Sequence, residues 1–336
     1  MGPLNPNTLK VAGVVTFYMS AALVMVFVNK AVLIQAPQLP LLFLFNQLII
    51  AVVLLYASAA FSKSIQIPRL DFQVARKLLP VVSVNIIGLV FNTLCLRGVE
   101  ASFFQIARGM QLPLTIFISS LNTHATPSMR VVAAAAIVTC GFFLGIAPNS
   151  SIPITASPSL LSLFYGLLSS LFIAVHAVLI KSSLPHCDNS TIQLAWWTNA
   201  GSAVLILPFI LLNGESGLIL EMVQRGDKEL NVFAWGSLVT GVFGFLLCVA
   251  GLLSIKVTSP ITHMFSSAAR SVIQTLLGVW LFHDLLTINR GSSILIILGG
   301  TMYYTWVKSN EQQPPPPRQA VDLEATGRED KDKSAN

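Results

Sequence analysis

Residues 40–61 read PLLFLFNQLIIAVVLLYASAAF, a stretch without a single charged side chain. A helix of about 20 apolar residues spans the hydrocarbon core of a bilayer. The apolar residues run continuously rather than alternating with the period-two pattern of a membrane barrel strand. This stretch therefore predicts a transmembrane helix.

Nine further apolar runs accompany it, separated by short polar segments. The ten runs cover about residues 11–31, 40–61, 78–97, 101–121, 129–147, 159–181, 191–213, 231–254, 258–282 and 291–307. Of the 336 residues, 54% are hydrophobic and only 10% are charged, whereas soluble domains carry about 25% charged residues. The predicted fold class is an all-α membrane protein with ten transmembrane helices.

The ten runs show a weak internal repeat. Run four places Arg108 eleven residues after Arg97, and run nine places Arg270 fourteen residues after Lys256. Runs four and nine are each fourth in a set of five. Because five is odd, the second set would be inverted in the membrane, which is the pattern of an inverted-repeat transporter with its site at the repeat interface.

This organisation predicts three regions. A cytosolic flank covers residues 1–10, and a ten-helix transporter domain covers 11–308, with repeats at about 11–147 and 159–307. A disordered, Pro-rich and charged cytosolic tail covers 309–336. Nine basic residues lie at the helix ends facing one side and five at the ends facing the other. The positive-inside rule therefore predicts that both termini are cytosolic.

Composition and motifs disfavour several functions. The net charge of +6 comes from basic residues scattered singly between apolar runs, which disfavours nucleic-acid binding but not an anionic small ligand. The four cysteines are widely spaced with no C-x-x-C, so we predict no disulfide framework and no metal site. Because G-x-S-x-G, H-E-x-x-H and glycine-rich phosphate loops are also missing, we expect neither an enzyme nor a cofactor.

Two arginines are the most informative residues. Arg108 and Arg270 lie deep inside runs four and nine, and no Asp or Glu lies deep in any run. A charge at mid-bilayer costs about 2.5–3.5 kcal/mol on insertion scales, so it faces a cavity or a partner. A guanidinium group binds phosphate oxygens bidentately. We therefore predict a ligand with about two negative charges, whereas snorkelling to the interface fits Lys181 well and Lys30 in part.

The missing carboxylates also bear on energy coupling. Carriers driven by protons or sodium usually place carboxylates in the pathway. Their absence indicates exchange of one anion for another, or facilitated diffusion.

Polar residues surround both arginines. In run four, polar residues recur every third position around Arg108, and in run nine they share one helix face with Arg270. Each one alone is more often a hydrogen-bonding contact between helices. The residues that we expect to shape a sugar pocket are Tyr18, Gln105, His263, Ser266 and Ser267.

Four segments resemble one family of membrane carriers. They are Val28-Asn29-Lys30, the stretch ASFFQIAR at 101–108, the stretch KVTSPITH at 256–263 followed by Arg270, and YTWVK at 304–308. Together they make residues 11–308 similar to the nucleotide-sugar and triose-phosphate translocators of the drug/metabolite transporter superfamily. The resemblance implies a ten-helix inverted-repeat fold and phosphate binding by Lys30, Arg108 and Arg270.

Within that family, residues 70–76, 91–96 and 258–274 are most similar to the Golgi carriers of GDP-fucose. That resemblance implies a multi-pass Golgi membrane protein whose exchanged ligands are cytosolic GDP-fucose and lumenal GMP. Its other partners would be membrane lipid and, as an open possibility, a second copy in a homodimer.

One motif departs from the GDP-sugar carriers. Their Phe-Tyr-Asn-Asn sequence for guanine is replaced by Trp196-Trp197-Thr198-Asn199. We expect Asn199 to pair with a base edge and one of the two indoles to stack on the base. The Gly-Ala-Leu-Asn-Lys motif of the GDP-mannose branch is absent, which favours fucose over mannose. Another GDP- or UDP-sugar, a translocator of sugar phosphates and phosphate, and a non-transporting membrane scaffold remain as alternatives.

Overall fold

The computed structural model describes residues 6–62, 65–147, 159–226, 228–257 and 260–311, without the side chains of 6–12, 248–265, 267 and 268. The helices, in chain order, are α1 (Pro6–Gln35), α2 (Pro40–Phe61), α3 (Phe72–Gly98), α4 (Phe104–Ala107), α5 (Gln111–Thr123), α6 (Met129–Ile146), α7 (Leu160–Ser183), α8 (Thr191–Leu212), α9 (Glu215–Arg225), α10 (Lys228–Val257), α11 (Pro260–Phe282) and α12 (Ile288–Glu311). One turn of 3-10 helix, Leu184–Cys187, joins α7 to α8.

The all-helical class is confirmed, since no strand occurs among these residues. Seven described helices are long and apolar enough to cross a membrane: α1, α2, α3, α6, α7, α8 and α10. The described part of α11 includes one shorter apolar stretch, Ala269–Phe282. The count of ten spans in two inverted repeats stays a prediction.

The structure differs from the expected helices in several places. Helix α1 begins at Pro6, inside the predicted flank of residues 1–10, and α3 begins at Phe72, before the apolar run at 78–97. Run four is broken between α4 and α5 instead of forming one helix. An additional helix, α9, lies in the segment between runs seven and eight. Finally, α12 continues to Glu311, past the expected start of the tail at residue 309, and residues 312–336 lie outside the described part of the chain.

Side-chain caps start several of the helices. The Asp71 carboxylate accepts from the backbone N–H of Gln73 at the start of α3. Ser128, Ser159 and Ser190 do the same for the third residue after each, at the starts of α6, α7 and α8. Such caps satisfy backbone donors that a helix leaves unpaired at its N-terminus.

Extended helix pairs build the bundle. The largest contacts join α12 to α6, α3 to α7, and α1 to α10, followed by α10 with α2, α5 with α7, α2 with α8, and α3 with α8. Small residues allow the closest approaches. A Cβ on Gly166 of α7 would lie 2.7 Å from the Ala107 carbonyl oxygen, so only glycine lets α7 approach the end of α4 this closely.

One end of the bundle is densely packed. A buried apolar cluster joins the end of α1, the start of α2 and the loop between α3 and α4, through Leu33, Leu39, Phe43, Val99 and Phe103. Each of these side chains is at most 3% exposed. This closed end is the one that carries the α1–α2 and α3–α4 connections.

Candidate functional site

The break in run four places Arg108 between two short helices. Pro113 is the third residue of α5. Because proline has no N–H and its ring crowds the carbonyl of Gly109, α4 cannot continue into α5 as one regular helix. Turn-like hydrogen bonds replace the helical ones, from Gly109 N to Ile106 O (2.8 Å) and from Gln111 N to Arg108 O (3.0 Å). Broken helices at membrane depth are typical of transporter binding sites.

Arg108 has few partners for its charge. Its Nη2 donates to Oε1 of Gln111 at 3.2 Å, and its guanidinium carbon lies 5.4 Å from the centre of the Phe104 ring. Its Nε is buried with no hydrogen-bond partner in the described structure. Among the described residues, the ion pairs are Arg225–Glu221, Arg290–Glu100 and Lys308–Glu311, so no carboxylate neutralises Arg108.

Arg270 on α11 also has a buried N–H group without a partner in the described structure, at its Nε. The two guanidinium groups are close enough that the charge of Arg270 acts repulsively on Arg108. Two half-buried cations that repel one another and keep unpaired N–H groups form a ready site for a polyanion.

A short chain of amide groups holds the two arginine-bearing segments together. Nε2 of Gln105 donates to Oγ of Ser271 (3.0 Å) and to Oε1 of Gln274 (3.1 Å). Gln274, only 1% exposed, donates in turn to the Ala101 carbonyl at 3.1 Å. Gln105, predicted for the sugar pocket, therefore tethers α4 to α11 in this conformation, one turn away from Arg108.

A cavity lies among other helices of the bundle. It measures about 450 Å³ and is lined by α1, α2, α3, α8 and α10, with Gln47, Thr191, Asn199 and Thr240 as polar residues. Ile65 of the α2–α3 loop also lines it, so the cavity extends toward the end opposite the closed one. Neither arginine is a lining residue, and the structure does not bring Asn199 into contact with them.

The proposed base-reading residues occupy different environments. Asn199 lines the cavity while its Nδ2 donates to the Ala195 carbonyl of its own helix at 2.7 Å. Trp196 and Trp197 are 4% and 7% exposed and pack edge to face, with ring centres 5.1 Å apart. Trp196 also meets Tyr56 edge to face. Both indoles belong to an apolar cluster and neither lines the cavity, so base stacking stays a prediction.

Lys30 occupies a site of a different kind. Its Nζ donates to the carbonyls of Leu96 (3.0 Å), Arg97 (3.3 Å) and Val99 (2.5 Å) at the end of α3. These contacts use the three N–H bonds of the ammonium group. The side chain is 8% exposed. Its predicted contact with phosphate is therefore not formed in this conformation.

The remaining predicted residues are only partly described. Tyr18 of α1 is half-buried and Ser266 of α11 is buried, and both have interaction partners. The side chains of His263 and Ser267 lie outside the described residues.

Sequence reasoning missed a polar network at the closed end. Arg290 forms an ion pair with Glu100, donates to the Leu285 carbonyl at 2.6 Å and lies 4.9 Å from the Phe103 ring centre. Asp284 accepts from the backbone N–H of Ser102 at 2.7 Å. Glu100 and Asp284 both lie at the edges of apolar runs, which was the available signal, but sequence alone could not pair residues about 190 positions apart.

A second missed residue is Glu215 at the start of α9. Its carboxylate, 0% exposed, accepts from the backbone N–H groups of Leu41 (3.2 Å) and Leu42 (2.7 Å) and from Nδ2 of Asn213 (2.9 Å). It therefore caps the N-terminus of α2 from a distant part of the chain, where the helix dipole favours an anion.

A family model agrees with this architecture. The model described as "Triose-phosphate Transporter family" matches residues 9–305. The chain belongs to the triose-phosphate transporter family. The family and the relatives below are transporters, not enzymes.

Relatives of this family member carry more specific names. "GDP-fucose transporter 1" of Dictyostelium discoideum is 31% identical over 88% of this chain and 80% of that protein. "GDP-fucose transporter, Golgi" of Drosophila melanogaster is 27% identical over 89% of this chain and 90% of that protein. "UDP-galactose/UDP-glucose transporter 7" of Arabidopsis thaliana is 24% identical over 92% and 93% of the two chains.

Proposed function

We propose that this protein exchanges cytosolic GDP-fucose for lumenal GMP across the Golgi membrane by alternating access. The observation that carries the proposal is a pair of uncompensated arginines within a family of transporters, Arg108 at a helix break and Arg270 inside α11. The relatives named as GDP-fucose transporters, including one named for the Golgi, support the choice of substrate and membrane.

Arg108 and Arg270 bind the diphosphate in this scheme. A nucleoside diphosphate sugar carries about two negative charges and would offset the repulsion between the two guanidinium groups. Each Nε that now lacks a partner would gain a phosphate oxygen. The ligand would thus supply the hydrogen bonds that the described protein does not.

The nucleoside and the sugar of the ligand extend from the diphosphate that the two arginines bind. The cavity of about 450 Å³ lies within the range of about 300–1,000 Å³ typical of small-molecule sites. Asn199 on its wall reads the base edge, and Trp196 or Trp197 stacks on the base after rearrangement. Tyr18, Gln105, His263, Ser266 and Ser267 contribute to the sugar pocket.

The polar network at the closed end acts as the gate on that side. Lys30 on α1 bonds to the end of α3, and the Glu100–Arg290 and Asp284–Ser102 contacts join the α3–α4 loop to the α11–α12 region. The cavity reaches the opposite end through Ile65. Release of these contacts would open the second side, which gives Lys30 a gating role and leaves it free to meet phosphate afterwards.

The pattern of helix contacts supports two repeats. Exchanging the first five runs for the second five converts the α1–α10 pair into α7–α3, the α2–α10 pair into α8–α3, and the α5–α7 pair into α11–α1. All of these pairs are in contact. A two-fold arrangement of this kind permits the halves to rock around a central site.

Counterflow in proteoliposomes tests the proposal. Vesicles preloaded with GMP should accumulate radiolabelled GDP-fucose, whereas vesicles preloaded with UMP should not. Arg108→Ala and Arg270→Ala should each lower uptake by about 10- to 100-fold, the value of hydrogen bonds to a charged group. Arg76→Ala, which removes an exposed arginine at the start of α3, is the matched control. Near-normal uptake by either site variant would refute the proposed binding of phosphate by that arginine.

The same assay distinguishes the alternatives. UMP-driven uptake of a radiolabelled UDP-sugar, without GMP-driven uptake of GDP-fucose, would indicate a UDP-sugar carrier. This possibility is raised by the Arabidopsis relative and by Thr198 in place of asparagine. Exchange of triose phosphate or inorganic phosphate without response to GMP would indicate a sugar-phosphate translocator. Folded protein without any exchange would indicate a scaffold.

A further inference from the structure

A second cavity of about 400 Å³ lies away from the transport site. It is enclosed by the ends of α5, α7 and α12, the start of α6 and the 124–128 connection. It shares no described lining residue with the cavity that Asn199 lines. The end of the bundle at which it opens is the end opposite the Lys30 network.

Its lining is rich in hydroxyl groups. They include the hydroxyls of Thr115, Ser119, Ser120, Thr123, Thr126 and Tyr304. Thr115 and Thr123 donate to carbonyls of their own helix, at 2.7 and 2.8 Å, and Ser120 donates to Ala125 O at 2.6 Å. Hydroxyls whose hydrogens are used in this way keep their oxygen lone pairs available. The wall therefore offers acceptors for a ligand that itself carries several hydroxyl groups.

Two lysines supply positive charge at the same cavity. Lys181 has no ion-pair or hydrogen-bond partner among the described residues, and Lys308 lies 3.2 Å from Glu311. The Ser128 hydroxyl, and secondarily Lys308, hold the pKa of Glu311 below its ordinary value. Glu311 therefore stays anionic at neutral pH and competes with any bound anion for Lys308.

The cavity lies beside an apolar surface of the bundle. On the neighbouring face of α5, Phe117 and Leu121 are 59% and 57% exposed, and Met129 at the start of α6 is 82% exposed. In a membrane protein such side chains face lipid tails. An occupant with a polar head and apolar tails would satisfy both the cavity and the surface next to it.

We propose that this cavity binds the phosphorylated inositol headgroup of a membrane lipid. The ring hydroxyls would donate to the hydroxyl-lined wall, and the phosphate monoester would lie between Lys181 and Lys308. Basic pockets between membrane helices are known to hold anionic lipid headgroups. The site is independent of which substrate the transport site carries.

Native mass spectrometry on the full-length protein in detergent tests this assignment. The probes are phosphatidylinositol monophosphate, unphosphorylated phosphatidylinositol, and soluble inorganic phosphate and inositol phosphate as competitors. We expect the phosphorylated lipid to bind best. Lys181→Gln should weaken it about five-fold, the effect of one basic residue near an anionic membrane surface. Glu311→Gln should strengthen binding, because it removes the competing carboxylate.

Lys77→Gln on α3 is the matched control, since Lys77 is exposed and does not line the cavity. Lys308→Gln is a second variant, and melting curves verify that each variant is folded. Equal binding of the two lipids, or equal losses in Lys181→Gln and Lys77→Gln, would overturn the proposal. Displacement by inorganic phosphate as effective as that by the lipid would replace the headgroup with a soluble anion and also overturn it.

Discussion

Lys30 and the Arg108–Arg270 pair are both cations inside apolar runs, yet their surroundings differ. The Lys30 ammonium donates to three carbonyls at the end of α3. Each arginine instead keeps a buried Nε without a partner in the described structure, and the two repel each other. A buried charge within a membrane helix is therefore not a ligand site by itself. The groups that satisfy each cation in this conformation distinguish Lys30, which joins α1 to α3, from the two arginines, which we propose bind the ligand.

The largest effect that would test this comparison is on substrate binding at the arginines. The double variant Arg108→Ala/Arg270→Ala should abolish GMP-driven uptake of GDP-fucose. Ligand binding stabilises a folded protein, so the rise in melting temperature on adding GMP should also disappear. Melting without ligand should be unchanged or higher, because the repulsion is removed. A lower melting temperature without ligand would instead assign the arginines a structural role.

The next largest effect concerns the stability provided by Lys30. Lys30→Met keeps the apolar stem but leaves three carbonyls without their donor. Leaving buried polar groups unpaired costs about 1–3 kcal/mol, so the detergent-solubilised variant should melt at a lower temperature with and without GMP. Lys30→Arg should restore part of the loss. Unchanged melting of Lys30→Met, together with lost GMP binding, would indicate that Lys30 binds the ligand, as proposed for the two arginines.

A smaller effect is expected where the amide chain supports the arginines. Gln274→Leu leaves the Ala101 carbonyl without its donor and removes one of the two acceptors of the Gln105 amide, at a cost of about 1–2 kcal/mol. Because the two arginines would then be less well positioned, uptake should fall several-fold, and the KM for GDP-fucose should rise. Thr275→Val on the same helix is a suitable control, since within the described residues its hydroxyl bonds to its own helix, at Ser271 O. Equal effects of the two variants would contradict a positioning role for Gln274.

The smallest effect concerns the capping of α2 by Glu215. Glu215→Gln keeps one acceptor oxygen but loses the charge that favours the helix N-terminus, a change worth about 1 kcal/mol. Melting should shift slightly downward while GMP binding is retained. Glu221→Gln, in an exposed ion pair on the same helix, should have no measurable effect.

Much of this outcome could be predicted from sequence. Residues 40–61 form a helix with the bounds read from the apolar run, because a charge-free stretch of that length has no other favourable structure in lipid. The prediction that Arg108 and Arg270 bind a ligand rests on local chemistry, since deep positions without nearby acids require a partner, and it stays a prediction. The break after α4 was missed, although Gly109 and Pro113 were its local signal.

Long-range pairing could not be predicted in the same way. Whether Trp196 faces a cavity or packs against Tyr56 depends on how α8 is rotated against α2. Which residue caps α2 depended on α9 returning to Leu41, more than 170 positions away. Such contacts depend on the relative placement of helices that are each stable alone, and a one-dimensional pattern contains no measure of it.

The sequence by itself determined that this chain is a helical membrane protein with cations but no acids deep in its apolar runs. Each charged residue in lipid has its own free-energy cost, so this property can be read one residue at a time. Only the tertiary structure decided which cation is satisfied. It brought the end of α3 to Lys30 and left the Nε groups of Arg108 and Arg270 without partners in the described structure. Hydrogen-bond partners act over about 3 Å, and only folding brings distant segments that close.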